Sequence, residues 1–301
     1  MLKIKKDNIY KRIKFHKEFF DSNSKQILNS LKAPKVLKNV MLYSILNGGK
    51  RIRPFILSEV AKLYGVKKNV YKYPSYAIEM AHGFSLIYDD LPCMDNDVLR
   101  RGKPTVHIAF NEANALLGGA SLLILAYKIL SSNNFKANKN LKNKIIENFS
   151  DAIGSEGMLA GQFLDLEAES PLFKLTLQKF KIIQQKKTSL LIAFSSLTGA
   201  MLGGASQKEQ KIFLEYGLII GKIFQITDDI LDVEGNEKVM GKKINKDKKL
   251  NKATLIRLKG ITYAKKEVER LVSLAKNELK KIRKDTKILE EFADFLSTRI
   301  Q

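Results

Sequence analysis

Apolar residues recur at three- and four-residue spacing along most of the chain, a pattern that predicts helix and not strand. The periodic segments run from Ile27 to Leu46, Tyr76 to Tyr88, Ala109 to Leu130, Leu141 to Gly161, Lys174 to Ala200, Gln207 to Asp232 and Thr254 to Ile282. No two-residue alternation bounded by hairpin turns interrupts them. Turn-forming residues separate the segments at Asn47-Gly48-Gly49, Gly102-Lys103-Pro104, Ser131 to Asn134, Ser170-Pro171, Gly203-Gly204 and Gly235-Asn236. The expectation is an all-α fold, one domain over residues 1–301, built from roughly ten helices around a common core.

One segment tests the membrane class. Thr188 to Gln207 carry no charge, and the run has the length of a bilayer span. Yet Ser189, Ser195, Ser196, Thr198, Gly199, Gly203, Gly204 and Ser206 dilute its apolarity. The expectation is therefore a buried helix ending near Gly203-Gly204, with no membrane span.

Composition narrows the class further. Of 301 residues, 45% are hydrophobic and 28% charged, which excludes global disorder. Lys and Arg outnumber Asp and Glu by 53 to 31, for a net charge of +22. Such a balance raises nucleic acid as a partner. The lysines are spread along the whole chain, aromatics do not interleave with them, and no zinc or helix-turn-helix signature accompanies them, so no nucleic-acid role is expected. Cys93 is the single cysteine, which rules out an internal disulfide framework and fits a reducing compartment. The basic first seventeen residues lack an apolar core and a cleavage site, so the expected location is cytoplasmic.

Against this positive background stand two concentrations of aspartate. In Ser85 to Asp97, SLIYDDLPCMDND, Asp89, Asp90, Asp95 and Asp97 follow an apolar run. His82, Ser85 and Asp89 share one helical face at i, i+3 and i+7. Pro92 cannot sit in a helix interior without removing a hydrogen bond, so a break there returns Asp95 toward Asp89. In the second stretch, Gln225, Asp228, Asp229 and Asp232 share a face at i, i+3, i+4 and i+7, amid Ile219, Ile220, Ile223, Phe224, Ile226 and Ile230. Both clusters lie at or near helix C-termini, where the macrodipole disfavours negative charge. Clustered carboxylates at such ends need cations. Hard oxygen donors with no His or Cys among them suit Mg²⁺ and not Zn²⁺. Magnesium commonly bridges a few carboxylates to substrate phosphates, so the two clusters are expected to hold a Mg²⁺–diphosphate between them.

Basic residues framed by turn formers complete such a site. Lys50, Arg51 and Arg53 follow Gly48-Gly49, Arg100 and Arg101 precede Gly102, Lys187 and Thr188 open the uncharged helix, and Lys242 follows Gly241. Arg suits bidentate phosphate recognition, whereas Lys acts as a point charge.

Five motifs, in order, resemble one family: GGKRIRP (48–54), HGFSLIYDDLPCMDNDVLRRGKPTVH (82–107), GQFLDL (161–166), KKT (186–188) and FQITDDILD (224–232). They are similar to those of the trans-prenyltransferases known as polyprenyl diphosphate synthases, most of all the bacterial-type members that make farnesyl diphosphate. The resemblance runs from about Leu42 to Thr254. It implies an all-α isoprenoid synthase fold around a central cavity, usually in a homodimer. It also implies head-to-tail condensation of isopentenyl diphosphate with an allylic diphosphate, dimethylallyl and then geranyl.

Carried over by motif, Asp89, Asp90, Asp95 and Asp228 are expected to bind Mg²⁺, with Asp229 and Asp232 supporting. Lys50, Arg53, His82 and Arg101 are expected on isopentenyl diphosphate. Arg100, Lys187, Thr188, Gln225 and Lys242 are expected on the allylic substrate. Gln162 and Asp165 are expected just behind these. Phe84 and Ser85, about 6–7.5 Å up the helix from Asp89 at 1.5 Å per residue, are expected to set product length as the cavity floor. The chain departs from the family at Asn251-Lys252-Ala253-Thr254, where a Gly-Lys-Ser/Thr is usual, and Lys243 to Asp247 lack the family's glycine. Geranylgeranyl or other short-chain synthesis, and a non-catalytic subunit, are the alternatives. A terpene cyclase fits less well, because the second DDILD and GGKRIRP have no use there.

Overall fold

The computed structural model describes residues 2–234 and 253–298. Lys242, Lys252 and the Lys243 to Asp247 segment lie outside the described residues. Among the described residues the chain is helical, as the periodicity predicts. The sole exception is a two-residue antiparallel pairing of β1 (Leu99–Arg100) with β2 (Lys103–Pro104).

Several boundaries differ from the pattern, each for a local reason. The segment from Ile27 to Leu46 is split by Pro34 into α1 (Leu2–Asn29) and α2 (Lys35–Leu46). A proline lacks the backbone donor a continuing helix needs. Ile9, Ile13, Phe20 and Leu28 are the buried stripe of α1, a helix the basic N-terminal stretch conceals. The helix α3 (Ile52–Leu63) escapes periodicity because every residue from Ile52 to Ala61 is buried. A helix buried all round has no polar face to mark its period. The helix α4 (Lys68–Asp89) starts before Tyr76 and accommodates Pro74 in its second turn.

The chain continues through α5 (Val106–Phe110), α6 (Glu112–Ser131), α7 (Lys139–Ile153), α8 (Met158–Ala168) and α9 (Leu177–Gln184). A π-helical turn at Gln185–Ser189 leads into α10 (Leu190–Leu202) and then α11 (Gln207–Glu234). Gly154 to Gly157 separate α7 from α8, where the pattern ran straight on. The last helices are α12 (Leu255–Lys259), α13 (Ile261–Leu279) and α14 (Lys287–Ser297), with Gly260 (φ 81°) dividing the expected Thr254 to Ile282 segment.

The core forms two apolar clusters joined through α3 and α10. One gathers Phe84, Leu122, Phe149 and Phe194 under α4, α6 and α7. The other gathers Phe55, Phe213, Tyr216 and Phe292 between α3, α11, α13 and α14. The uncharged segment is α10, buried along nearly its whole length and ending at Gly203 as expected. The helix long and apolar enough to cross a membrane is instead α6, whose inner face packs on α4 and α2. Its outer face leaves Leu116, Leu117 and Ile124 exposed, the last at 69%.

Candidate active site

The first acidic motif sits where α4 stops. Asp89 is its last residue and Asp90 its cap. Asn96 takes a left-handed conformation (φ 48°), and the backbone folds back so that Asp95 N–H donates to the Asp89 carbonyl at 2.9 Å. The break at Pro92 thus returns Asp95 to Asp89.

Asp90 and Arg100 are engaged with each other. Arg100 Nε lies 2.8 Å from both Asp90 oxygens, and Nη2 lies 2.5 Å from Oδ1. Burial opposes the guanidinium charge, but the bond to Asp90 and the pull of Asp89 and Asp97 raise its pKa above the ordinary value. A buried carboxylate forked by an Arg has its lone pairs committed. In this structure Asp90 and Arg100 thus pair with each other inside the first acidic motif.

On α11, the four-residue face is realised. Thr188 Oγ1 donates to Gln225 Oε1 at 2.9 Å, and Gln225 Nε2 donates to Asp229 Oδ1 at 2.9 Å. This relay ties the π-helical turn to the second acidic motif. Asp229 and Asp232 are buried, Asp232 at 1% exposure, whereas Asp228 is more open.

The π-helical turn is wedged between two glycines. A Cβ on Gly161 of α8 would strike the backbone of Lys187, and one on Gly221 of α11 would lie 2.6 Å from Ser189 Oγ. Only glycine permits both approaches. The turn delivers Lys187 Nζ to Asp165 Oδ2 at 2.5 Å. Single π-helical turns concentrate at functional sites. Gln162, beside Gly161, buries both amide atoms with no hydrogen-bond partner among the described residues.

The basic residues converge from three elements. Gly48 (φ 85°) and Gly49 (φ 107°) form a left-handed turn before α3. Arg101 Nη1 donates to the Gly48 carbonyl at 2.7 Å, and a Cβ on Gly49 would lie 2.8 Å from that nitrogen, so the glycine pair is the seat of a guanidinium. Burial, then repulsion from Arg51 and later Arg100 and Arg53, push the Arg101 pKa down to about 10, against the pull of Glu79. Burial also lowers Arg53, which Glu79 and Asp228 partly offset. Arg53 Nε is buried with no partner among the described residues. His82 is driven well below its ordinary pKa by burial and by the charges of Arg53, Arg101, Arg51 and Arg100. Lys50 is exposed, with its ammonium 5.9 Å from the Phe295 ring centroid. Arg53 and Arg101 beside a neutral His82 make a candidate anion site, and the charge of Asp228 is felt at Arg53.

Phe84 is buried in the core, its ring 4.5 Å from that of Tyr88, while Ser85 Oγ donates to the His82 carbonyl at 3.0 Å. Sequence reasoning missed Asp21 and Glu79 as partners in this region. Glu79 was findable: it precedes His82 by three residues on the Asp89 face. No group of three or more His, Cys, Asp or Glu is preassembled for one metal among the described residues.

The polyprenyl synthetase family model matches residues 34–292. The farnesyl diphosphate synthase of Geobacillus stearothermophilus is 37% identical over 284 residues, 94% of this chain and 95% of that one. The geranylgeranyl diphosphate synthase of Cyanophora paradoxa is 37% identical over 266 residues, 88% of each. An FPP/GFPP synthase from Zymomonas mobilis superposes with a TM-score of 0.87 at 32% identity, covering 97% of this chain and 99% of that one. A geranyltransferase from Helicobacter pylori, complexed with magnesium and isoprenyl diphosphate, does so with 0.80 at 28% identity, covering 96% and 97%. With its five motifs in order, a family model matching most of its length and its helices arranged like these, the chain belongs to the polyprenyl synthetase family.

Proposed function

We propose that this prenyltransferase is a farnesyl diphosphate synthase, adding isopentenyl diphosphate to dimethylallyl and then geranyl diphosphate. The observation that carries the reading is a pair of linked arrangements: Arg101 seated on the Gly48 carbonyl beside the first acidic motif, and the Thr188–Gln225–Asp229 relay that joins the Lys187 turn to the second. Arg53 on α3 and Arg101 in the β1–β2 turn supply cations and α11 supplies carboxylates, as a two-diphosphate reaction requires. Four curated farnesyl diphosphate synthases, each 37–38% identical over most of the chain, support it.

The donor set fits Mg²⁺, because both clusters offer only hard carboxylate oxygens, Asp229 and Asp232 among them buried at 2% and 1% exposure. Asp89, Asp90, Asp95, Asp228 and Asp232 would hold it, with Asp229 bonded to Gln225. Bound there, magnesium supplies electrostatic stabilisation to the departing diphosphate.

The chain's own residues do the rest. Arg100, Lys187, Thr188 and Gln225 orient the allylic diphosphate. Its C1–O bond breaks and the electron pair leaves with diphosphate. Lys50, Arg53, His82 and Arg101 hold isopentenyl diphosphate so that its double bond meets the allylic C1. A new carbon–carbon bond forms and a proton leaves the adjacent carbon to the released diphosphate. Preorganised cations around the leaving group are the main source of rate. The apolar surroundings keep water from the carbocation.

Residues 1–301 form one catalytic domain in this reading, located in the cytoplasm. The exposed outer face of α6 supports a homodimer, since apolar patches of that kind mark interfaces. Sedimentation of a monomer at micromolar concentration would remove that part.

The test of function is product length. Protein, Mg²⁺, labelled isopentenyl diphosphate and dimethylallyl diphosphate are incubated, and the products are dephosphorylated and sized. A C15 alcohol is expected. A C20 product would favour geranylgeranyl synthesis, the second reading, which the Cyanophora paradoxa relative supports. Folded protein without product would favour a non-catalytic subunit.

A further inference from the structure

Arg51 lies between two expected diphosphate ligands, Lys50 and Arg53, yet its guanidinium points inward. Nε donates to Asp21 Oδ1 at 2.8 Å, Nη1 lies 3.2 Å from Glu79 Oε2, and Nη2 donates to the Ile45 carbonyl. Its carbon sits 5.2 Å from the Phe20 ring centroid. Both side chains of the Arg51–Glu79 pair are 3% exposed. Each nitrogen is committed, so Arg51 offers no fork to a phosphate.

The backbone at Arg51 is left-handed, with φ 52°. A residue with a side chain holds that conformation only when its surroundings impose it. The three bonds of its own guanidinium supply that constraint. The conformation matters because Ile52 begins α3, so the turn at Arg51 sets how Arg53 enters the site.

Glu79 is a buried carboxylate on α4, 3.2 Å from Arg51. Besides its contact with Arg51, its charge attracts Arg53 and Arg101. It works as the internal counter-charge that lets three guanidiniums stay close together before any diphosphate arrives. Asp21 supplies the other end of the clamp from α1, outside residues 34–292 that the family model matches.

We propose that Asp21, Arg51 and Glu79 form a strut of positioning residues for the isopentenyl diphosphate site, holding the Gly48–Arg53 loop so that Lys50, Arg53 and Arg101 converge on one diphosphate. The strut rests on the proposed two-substrate reaction. It assigns α1 a part in substrate binding and takes Arg51 out of direct phosphate contact.

The test compares Glu79→Gln, Asp21→Asn and Arg51→Lys with the wild type in the full chain. Steady-state KM for each substrate is read beside the Kd of isopentenyl diphosphate by calorimetry and the melting temperature. Glu79→Gln should raise the KM and Kd of isopentenyl diphosphate about tenfold or more, as loss of a buried charged hydrogen bond does. Arg51→Lys, which keeps the charge and loses the fork, should match it. Asp21→Asn should raise both by about threefold, because Asp21 is partly exposed and its charge is screened. The allylic KM should stay within about twofold throughout, since a scaffold defect would move both substrates.

Unchanged isopentenyl diphosphate affinity in Glu79→Gln, or an equal rise for both substrates, would overturn the strut. Should Glu79→Gln fail to fold, the same split in Asp21→Asn decides. Wild-type protein that binds isopentenyl diphosphate without turnover would overturn the proposed function, while the Kd comparison still decides the strut. Wild-type protein that does not bind it would overturn both.

Discussion

Gly161 on α8 lies against the backbone of Lys187 with no room between them for a Cβ. That contact seats the π-helical turn and aims Lys187 at Asp165. Gly161→Val should therefore displace Lys187 and lower kcat about 10²-fold, the scale of a small misplacement of a catalytic group. Circular dichroism should still show a helical fold. A kcat within a few-fold of wild type would show that the turn does not depend on this glycine.

Asp89 and Asp228 are the proposed magnesium ligands of the two acidic motifs. Alanine at either should reduce Mg²⁺-dependent turnover by about 10²-fold or more, as removal of a transition-state charge stabiliser does. Thermal unfolding should be little changed, because both are only half-buried. Chelation of Mg²⁺ should abolish wild-type turnover. Retained activity in either variant would remove that carboxylate from the site.

Phe84 and Ser85 are proposed to set product length. Phe84→Ala should lengthen the product and Ser85→Phe should shorten it, read by sizing the dephosphorylated alcohols. Phe84→Ala opens a cavity in the core and should cost about 3–5 kcal/mol of stability, so the assay belongs well below its melting temperature. Unchanged length in both variants would discard the floor assignment.

Glu59 governs the acid limit of the fold. Its carboxylate, 1% exposed, meets His16 at 2.9 Å, Lys62 at 2.7 Å and Arg12 at 2.9 Å. Burial pushes its pKa up, but the His16 hydrogen bond, Lys62 and Arg12 prevail and hold it at about 2, below an ordinary 4.5. A depressed carboxylate stabilises the fold fully above its unfolded pKa and loses that contribution as pH falls toward the folded value. About 3 kcal/mol should vanish between roughly pH 4.5 and 2. In Glu59→Gln this part of the acid dependence should be absent, with lower stability at pH 7. Denaturant midpoints at pH 7, 4 and 3 check it, and parallel curves for the two proteins would reject it.

Much of the site was legible because its residues sit in short stretches. His82, Ser85 and Asp89, or Gln225, Asp228, Asp229 and Asp232, share a helical face by spacing alone, and Pro92 announces the turn that returns Asp95. The helix α3 was not legible, since periodicity needs a polar face and Ile52 to Ala61 have none turned to water. The helix α1 was hidden by its charge, although Ile9, Ile13, Phe20 and Leu28 already lay on one side.

By itself the sequence determined the helical class, the two aspartate clusters, the hard-oxygen preference for magnesium and the family. Each of these rests on residue type and local spacing, which a chain carries before it folds. The tertiary structure decided which charges are spent on one another. Asp90 and Arg100 share a motif and both read as ligands, and in this structure they pair with each other. Arg51 reads like its neighbours Lys50 and Arg53, yet Asp21 and Glu79 claim it from distances of 30 and 28 residues. A charge's task depends on its nearest opposite charge and its access to water, and for these side chains only packing sets both.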